Sequence, residues 1–519
     1  MSETDGGAVS GPDLGTEGVA SSELRDGAML LGHFSGEPVL LIRKGTVVHG
    51  MGAKCTHYGG PLDQGLFDGS LVRCPWHHAC FRPETGEAVH APAIDPVPCY
   101  TVEQRGGRLF VTGTTSKPAA PAPLASVPAS VIIVGGGAAG FAAAEMLRRQ
   151  GYQQPVTVIS ADEAAPYDRP NISKDYLAGT APEEWIPLRP TDWYQKSRVD
   201  LLTGRRVVRL MPDARSVELD DGRRLEYGAL LLAMGASPIA LDVPGAELPH
   251  VRYLRTLRDS RTIIERATQA RRAVVVGASF IGLEVAASLR TRNLEVHVVA
   301  PEEIPMQRVL GAELGRSVRE VHEQHGVRFH MGQTVASIAE QSVTLKNGTR
   351  VDADLVVVGI GVRPNLELAE QTGLTVDRGL VVDEYLRTSA PAIWAAGDIA
   401  RWPDRYTGSA LRVEHWVVAE RHGQAAARNM LGQNQPFTAA PFFWSAHYDV
   451  TISYVGYAQA WDDVKIAGSI PDRDCLVAYR KNGKTLAVAS INRDADSLRV
   501  QVAMERGDIA AVEAIVQGR

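Results

Sequence analysis

The chain has 519 residues, 45% of them hydrophobic, with a formal net charge of −6 and 5 cysteines. That length calls for several domains, each able to bury a core, and the small negative charge argues against a nucleic-acid partner and supplies no steering field. No apolar run of about 18 residues occurs, so no membrane span is expected, and the cysteines show no disulfide framework.

The first 24 residues are rich in Gly, Ser, Asp and Glu. They lack the basic and apolar segments of a secretory signal, and their acidity disfavours a transit peptide. Residues 1–24 read as a disordered tail on a cytoplasmic protein. Residues 25–113 then carry short strand-like runs at Val39–Ile42, Leu71–Arg73 and Arg108-Leu-Phe-Val111.

Between those runs lie Cys55-Thr-His57 and Cys74-Pro-Trp-His77. Each short loop offers one thiolate and one imidazole. This is the donor set of a Rieske [2Fe–2S] cluster, in which one iron takes both thiolates and the other both imidazoles. Replacing thiolates by imidazoles raises the potential above that of an all-Cys cluster. A Cys2His2 zinc site uses the same ligand types. The C-x-H and C-x-x-H spacings favour the cluster, as do the turns Tyr58-Gly-Gly-Pro61 and Cys74-Pro75. The metal ligands expected are therefore Cys55, His57, Cys74 and His77. His78 competes with His77, and the spacing leaves it as a solvated neighbour. Cys80 and Cys99 read as small buried hydrophobes. Residues 25–113 resemble the Rieske ferredoxin-like family. Its high-potential members carry an extra Cys in each ligand loop, joined as a disulfide. Gly60 and Trp76 occupy those places here, which implies the lower-potential type. Residues 114–128, rich in Pro, Ala, Ser and Thr, read as a semi-extended linker.

Val131-Ile-Ile-Val134, Gly135-Gly-Gly137-Ala-Ala-Gly140 and the helical run Phe141–Arg149 follow in the order strand, G-x-G-x-x-G, helix. The glycines allow a tight turn, and the helix N-terminus faces a pyrophosphate. The next strand, Val156–Ser160, ends in Ser160 where a ribose-binding acid is expected, with Asp162 and Glu163 just beyond. A second copy runs through Ala273–Val276 and Gly277-Ala-Ser-Phe-Ile-Gly282 to a helix from Leu283, with Ser279 in place of the middle glycine. Its following strand, Glu295–Val299, ends at Ala300, and Glu302 is the nearest carboxylate. No Arg follows at once (Arg308 lies farther on), which favours NADH and leaves NADPH open. Apolar strands end in Gly turns at Leu230–Pro238 and at Leu355–Pro364, the latter with Gly361. Ile393-Trp-Ala-Ala-Gly-Asp398 ends in a carboxylate able to accept from a ribityl hydroxyl.

Beyond residue 129 the chain resembles the two-dinucleotide flavoprotein reductases. Within them it resembles the apoptosis-inducing-factor-like branch, which fuses a Rieske domain to a ferredoxin-reductase-type flavoprotein. The string Pro166-Tyr-Asp-Arg-Pro-Asn-Ile-Ser-Lys-Asp-Tyr-Leu-Ala-Gly179 is its most specific mark. The resemblance implies a small all-β Rieske domain, an α/β reductase with two dinucleotide folds, and a C-terminal α+β interface domain. The domains would be FAD-binding over 129–255 and 376–435, NAD(P)-binding over 256–375, and C-terminal over 436–519. The implied cofactors are FAD, NADH and the [2Fe–2S] cluster. Gly135, Gly137, Ala139, Gly140, Arg169, Lys174, Val207, Arg255, Asp398 and Trp416 would line FAD, Val207 and Trp416 through backbone atoms. Gly277, Ser279, Ile281, Gly282, Glu302 and Gly361 belong to the second dinucleotide site. Lys174 and Glu284 would be catalytic, beside the flavin and the nicotinamide. A second reading of Glu284 is a helix-start acid held by the helix dipole. Trp444, in the Pro441–Ser445 aromatic cluster, is a further candidate near the flavin.

No cysteine occurs between Thr101 and Asp474, so the thiol-dependent reactions known on this fold are not expected. The 2-His-1-carboxylate iron site of an oxygenase has no place in a region committed to dinucleotide folds. The expected activity is that of an NAD(P)H-dependent oxidoreductase. It would pass electrons from NADH through FAD to its own Rieske cluster and on to an unknown acceptor, with a protein among the candidates. Two alternatives stay open: the reductase component of an oxygenase system, and an NADH-responsive redox-signalling protein. A homodimer is also left open.

Overall fold

The structure is a computed structural model and describes residues 10–115 and 127–518. Most of the expected 114–128 linker, and the first part of the expected tail, lie outside the described residues. The chain forms two compact units. One takes the residues up to 115 together with 493–515, and the other takes 127–492 with 516–518.

The N-terminal unit is organised by the strand Glu37–Lys44. Successive strand side chains point to opposite faces. Val39 and Leu41 accordingly join one apolar cluster, and Leu40 and Ile42 join another. All four are fully buried, so this strand is covered on both sides. It lies within an antiparallel six-stranded sheet ordered Val19–Ala20, Arg108–Thr114, Cys99–Arg105, Val47–Gly52, Glu37–Lys44, Met29–Phe34. A second sheet of four short strands includes Val72–Arg73 and Cys80–Phe81, which bracket the second Cys/His loop.

One expectation is corrected here. Residues 10–24 are not a disordered tail. Leu14, Val19 and Leu24 are buried in the Val39/Leu41 cluster, and Val19 pairs with Leu109 across the sheet edge. Their spacing matches neither a helix nor a strand period, and polar composition concealed them. The helix Asp494–Arg506 is part of the compact N-terminal unit.

In the second unit each glycine motif sits between a parallel strand and a helix. The first five-stranded parallel sheet runs in the order Val199–Leu202, Val156–Ile159, Val131–Val134, Ala229–Leu232, Ile393–Ala395. The late strand Ile393–Ala395 thus rejoins a sheet begun more than 200 residues earlier. The second parallel sheet runs Val251–Tyr253, Leu355–Val358, Arg272–Val276, Glu295–Ala300, Val327–Met331. Their helices are Ala138–Arg149 and Phe280–Thr291, each starting three residues earlier than the sequence suggested. Both begin as soon as the glycine turn ends. The two Gly-turn segments Ala236–Pro238 and Val362–Pro364 pair antiparallel with each other. An antiparallel sheet of five strands, opening with Phe442–His447, completes the unit.

Leu14 tests the corrected N-terminus. It is 0% exposed, so Leu14→Ala should cost about 2–5 kcal/mol through lost burial and the cavity left behind. Urea denaturation of the full chain, followed through hydrogen exchange in the N-terminal sheet, would show this as a lowered midpoint. An unmoved midpoint would mean that residues 10–24 do not hold the sheet.

Candidate functional sites

Cys55 and His57 follow the strand Val47–Gly52, and Cys74 and His77 lie between Val72–Arg73 and Cys80–Phe81. The two loops are built alike. The Cys55 N–H donates to the Gly60 carbonyl and the Cys74 N–H to the Ala79 carbonyl, both at 2.8 Å. The N–H groups of His57 and Tyr58 face the Cys55 sulfur, and those of Trp76 and His77 face the Cys74 sulfur. Donors placed in this way favour thiolates. The Nδ1 atoms of His57 and His77 are 3.2 Å apart. Two imidazoles on one metal at about 2.1 Å, with near-tetrahedral angles, place their nitrogens roughly 3.4 Å apart. Burial pushes His57 down to about 4, which keeps its ring neutral and able to ligate.

Among the described residues no three Cys, His, Asp or Glu side chains converge on one ion position. A structural zinc requires four such donors around one point, whereas a binuclear cluster takes two from each side. The donor set therefore fits a [2Fe–2S] group. None of the five cysteines is joined in a disulfide. A Cβ at Gly60 would lie 2.8 Å from the Cys74 Sγ, so the sulfur itself closes the position where disulfide-bearing Rieske proteins carry a cysteine.

His78 is not a solvated neighbour. It is fully buried, and its Nδ1 lies 2.8 Å from the Gln501 Oε1. Its partner is 423 positions away, and nothing local to the motif announces it. Cys80 is buried as expected, while Cys99 is only half-buried.

In the second unit a cavity of about 1040 Å³ is lined from both glycine loops. Gly135 has φ +118°, and a Cβ there would meet the Ala233 carbonyl oxygen at 2.1 Å. A Cβ on Gly140 would meet the Gly135 carbonyl oxygen at 1.8 Å. The first glycine makes the turn and the last lets helix and turn pack. The helices Ala138–Arg149 and Trp416–Met430 both start without a side-chain cap, and both N-termini face the cavity. Arg169 and Arg255 line the same wall. The Arg169 Nε is buried without a protein hydrogen-bond partner. Burial, and then the Arg169 charge, lower Arg255 below the usual guanidinium range, while its NH2 holds the Asp398 Oδ2 at 2.8 Å. Open helix N-termini and crowded guanidinium groups suit the anionic diphosphate of a dinucleotide, so the residues present fit FAD.

Deeper in the cavity, the Lys174 Nζ donates to the Glu284 Oε2 at 2.8 Å. The Ser173 hydroxyl donates to the same oxygen at 2.7 Å, and the Ser445 hydroxyl donates to Oε1 at 2.8 Å. Glu284 is buried in the second turn of its helix, not at its start, so these donors hold it and the helix dipole does not. Ser173 and Ser445 were missed from the sequence. Each lies inside a segment singled out for other reasons, and only the folded chain aims them at Glu284.

The structure brings Gly135, Gly137, Ala139, Arg169, Lys174, Val207, Arg255, Ser279, Ile281, Glu284, Gly361, Asp398, Trp416 and Trp444 to the cavity wall. Gly140, Gly277, Gly282 and Glu302 are not on that wall. Gly140 and Gly282 are taken up by backbone packing, and Glu302 pairs with Arg308 at 3.3 Å. Of the two acids beyond Ser160, Asp162 is occupied by the Tyr167 hydroxyl at 2.7 Å. Glu163 is exposed at the cavity and has only a 3.7 Å pairing with Arg258.

A glycine-loop pair around one cavity, with a Cys2His2 cluster site on the same chain, defines an FAD- and NAD(H)-binding oxidoreductase with a Rieske [2Fe–2S] domain. Residues 129–423 match the pyridine nucleotide-disulphide oxidoreductases, and the chain belongs to that family. Residues 17–101 match the Rieske [2Fe-2S] domain, and 442–518 match the reductase C-terminal domain. The Rieske match begins within the stretch expected to be a tail. The chain is 35% identical over 492 residues to apoptosis-inducing factor 3 of Homo sapiens, covering 91% of this chain and 81% of that protein. It is 35% identical over 371 residues to the ferredoxin–NAD(+) reductase component of the anthranilate 1,2-dioxygenase system of Burkholderia cepacia, covering 70% of this chain and 91% of that protein. Among solved structures, the covalent putidaredoxin reductase–putidaredoxin complex superposes with a TM-score of 0.71 at 32% identity, covering 75% of this chain and 98% of that one. No described helix is long and apolar enough to cross a membrane.

The buried histidines of this unit give a pH prediction. His422 and His447 are fully buried. Burial lowers each from 6.5 to about 3, with the Lys174 charge adding to the effect at His447. The His422 Nδ1 accepts from the Gly397 N–H at 3.3 Å, a bond that protonation would abolish. The unfolded chain binds these protons near pH 6.5 and the folded chain does not. Their contribution is therefore fully present above that pH and is lost as pH falls toward 3, at about 1.4 kcal/mol per pH unit for each imidazole. Melting temperature should drop between pH 7 and pH 5, before ordinary carboxylates titrate. A flat profile there would contradict the neutral assignment.

Proposed function

We propose that this chain is the NAD(P)H-dependent reductase component of an electron-transfer system, with its own Rieske centre as first acceptor and an oxygenase component as the receiver. The observation that carries this reading is one chain holding both a two-dinucleotide cavity with a buried Lys174–Glu284 pair and a Cys2His2 cluster site. FAD and the cluster, when bound, supply hydride acceptance from the nicotinamide and release of the two electrons one at a time.

The chain's own residues supply binding and orientation. Arg169, Arg255 and the open helix N-termini hold the diphosphate. Lys174, fixed by Glu284, presents its ammonium to the ring, and Asp398 meets the ribityl chain. Ser279, Ile281 and Gly361 shape the nicotinamide side of the cavity, which aligns the two rings for transfer. Cys55 and Cys74 would hold one iron of the cluster, and His57 and His77 the other. Relatives named as the ferredoxin reductase components of dioxygenase systems support the oxygenase partner. NADH is the favoured donor, because Arg308, the cation nearest beyond the second glycine loop's strand, pairs with Glu302 at 3.3 Å.

The test is an anaerobic NADH titration that follows flavin absorbance and the EPR spectrum together. The expected result is flavin bleaching in step with a rising reduced-Rieske signal. A persistent long-wavelength absorbance band beside an EPR-silent cluster would overturn the relay and favour the redox-signalling alternative. Under single-turnover conditions, Glu284→Gln should slow flavin reduction on the order of 10²-fold with FAD still bound, because Lys174 loses its anchor. An unchanged rate would remove Glu284 from the transfer geometry.

A further inference from the structure

The second Cys/His loop is short, and the residues that flank it are charged or polar and buried. Arg73 immediately precedes Cys74 and is 6% exposed. His78 immediately follows His77 and adopts φ +59°, a left-handed conformation that a side-chain-bearing residue holds only when its surroundings fix it. Both flanks are held by one element. The Gln501 Oε1 lies 2.8 Å from the His78 Nδ1 and 3.5 Å from the Arg73 NH1. The Glu505 carboxylate pairs with the Arg73 NH2 at 2.8 Å. Gln501 and Glu505 are one helical turn apart on Asp494–Arg506 and so share a face. The Asp68 Oδ2 accepts from the Arg73 Nε at 2.7 Å, and the Asp68 carbonyl accepts from the Arg506 NH2 at 2.7 Å.

A buried ion network of this kind contributes little net stability, because desolvation offsets most of its attraction. It does fix geometry, since each side chain has one low-energy placement. The hydrogen bond at the His78 Nδ1 also fixes the proton on that nitrogen, because the amide oxygen can only accept.

We propose that the helix Asp494–Arg506 is the positioning element of the second cluster-ligand loop, with Gln501 and Glu505 holding the residues on either side of Cys74 and His77 and thereby tuning the cluster's electron affinity. The inference rests on the ligand assignment above. Gln501 and Glu505 are positioning residues that act through His78 and Arg73 and do not touch the metal. The sign of one effect follows directly. Adding an electron makes the cluster more negative, so removing the Glu505 charge should favour the reduced form.

The experiment uses the full-length holoprotein carrying Gln501→Leu, Gln501→Glu or Glu505→Gln, beside the wild type. Hydrogen exchange over residues 72–81 is read first, since it needs no signal from the metal. Gln501→Leu should speed exchange there about tenfold, and Gln501→Glu, which keeps an acceptor for the His78 N–H, should restore protection. EPR and redox titration are read second. Glu505→Gln should raise the cluster midpoint by about 59 mV, a tenfold change for a one-electron couple, with the flavin midpoint unmoved. Gln501→Leu should shift the g-values. Wild-type exchange and an unshifted midpoint and spectrum in these variants would overturn the proposal. A wild-type protein with no Rieske spectrum would instead refute the ligand assignment, and the exchange data would still show whether the helix holds the loop.

Discussion

The second unit depends on one buried carboxylate. Glu284 takes hydrogen bonds from Ser173 and Lys174 on the first dinucleotide module and from Ser445 on the C-terminal sheet, while its own helix belongs to the second module. A lone ionised side chain at that depth would carry a desolvation cost of several kcal/mol. Donors on both oxygens offset that cost, and the same bonds bring three separately folded segments to one point. The cavity beside it inherits this convergence. Its walls come from both glycine loops, and this carboxylate ties the modules that own them alongside the pairing of Ala236–Pro238 with Val362–Pro364.

A comparable dependence runs through the N-terminal unit on a smaller scale. The strand Glu37–Lys44 has apolar side chains on both faces, and each face needs a cover. One cover is the pair of ligand loops, with Cys55 and Cys74 among the packed residues. The other is the N-terminal segment that carries Leu14, Val19 and Leu24. The cluster site is therefore one side of a small core, and the stiffness of that core is passed to the ligands.

The sequence made local features legible and left distant ones dark. The glycine turns, the parallel strands and the two Cys/His loops were all readable, because each is encoded within a few adjacent residues. Gly135 and Gly140 are glycines for reasons that neighbouring backbone dictates. The partners of Glu284 lie 110, 111 and 161 positions away, and no periodicity marks a hydroxyl that will meet a carboxylate across such distances. His78 was misread for the same reason: next to a ligand motif a histidine looks solvated until its distant partner is known. The thiol chemistry in the family's name finds no cysteine within the matched residues 129–423. That absence was visible in the sequence alone.

The contact between Gln501 and His78 spans 423 positions, which orders events during synthesis. The second ligand loop leaves the ribosome first, and its flanks cannot reach their final partners until Gln501 and Glu505 have been made. At about 5–20 residues per second, that delay is roughly 20–85 s. During this interval Cys74 and His77 are present in a loop not yet held in place. A chain cut before Asp494 would keep both Cys/His loops while lacking the helix face that packs against the second one.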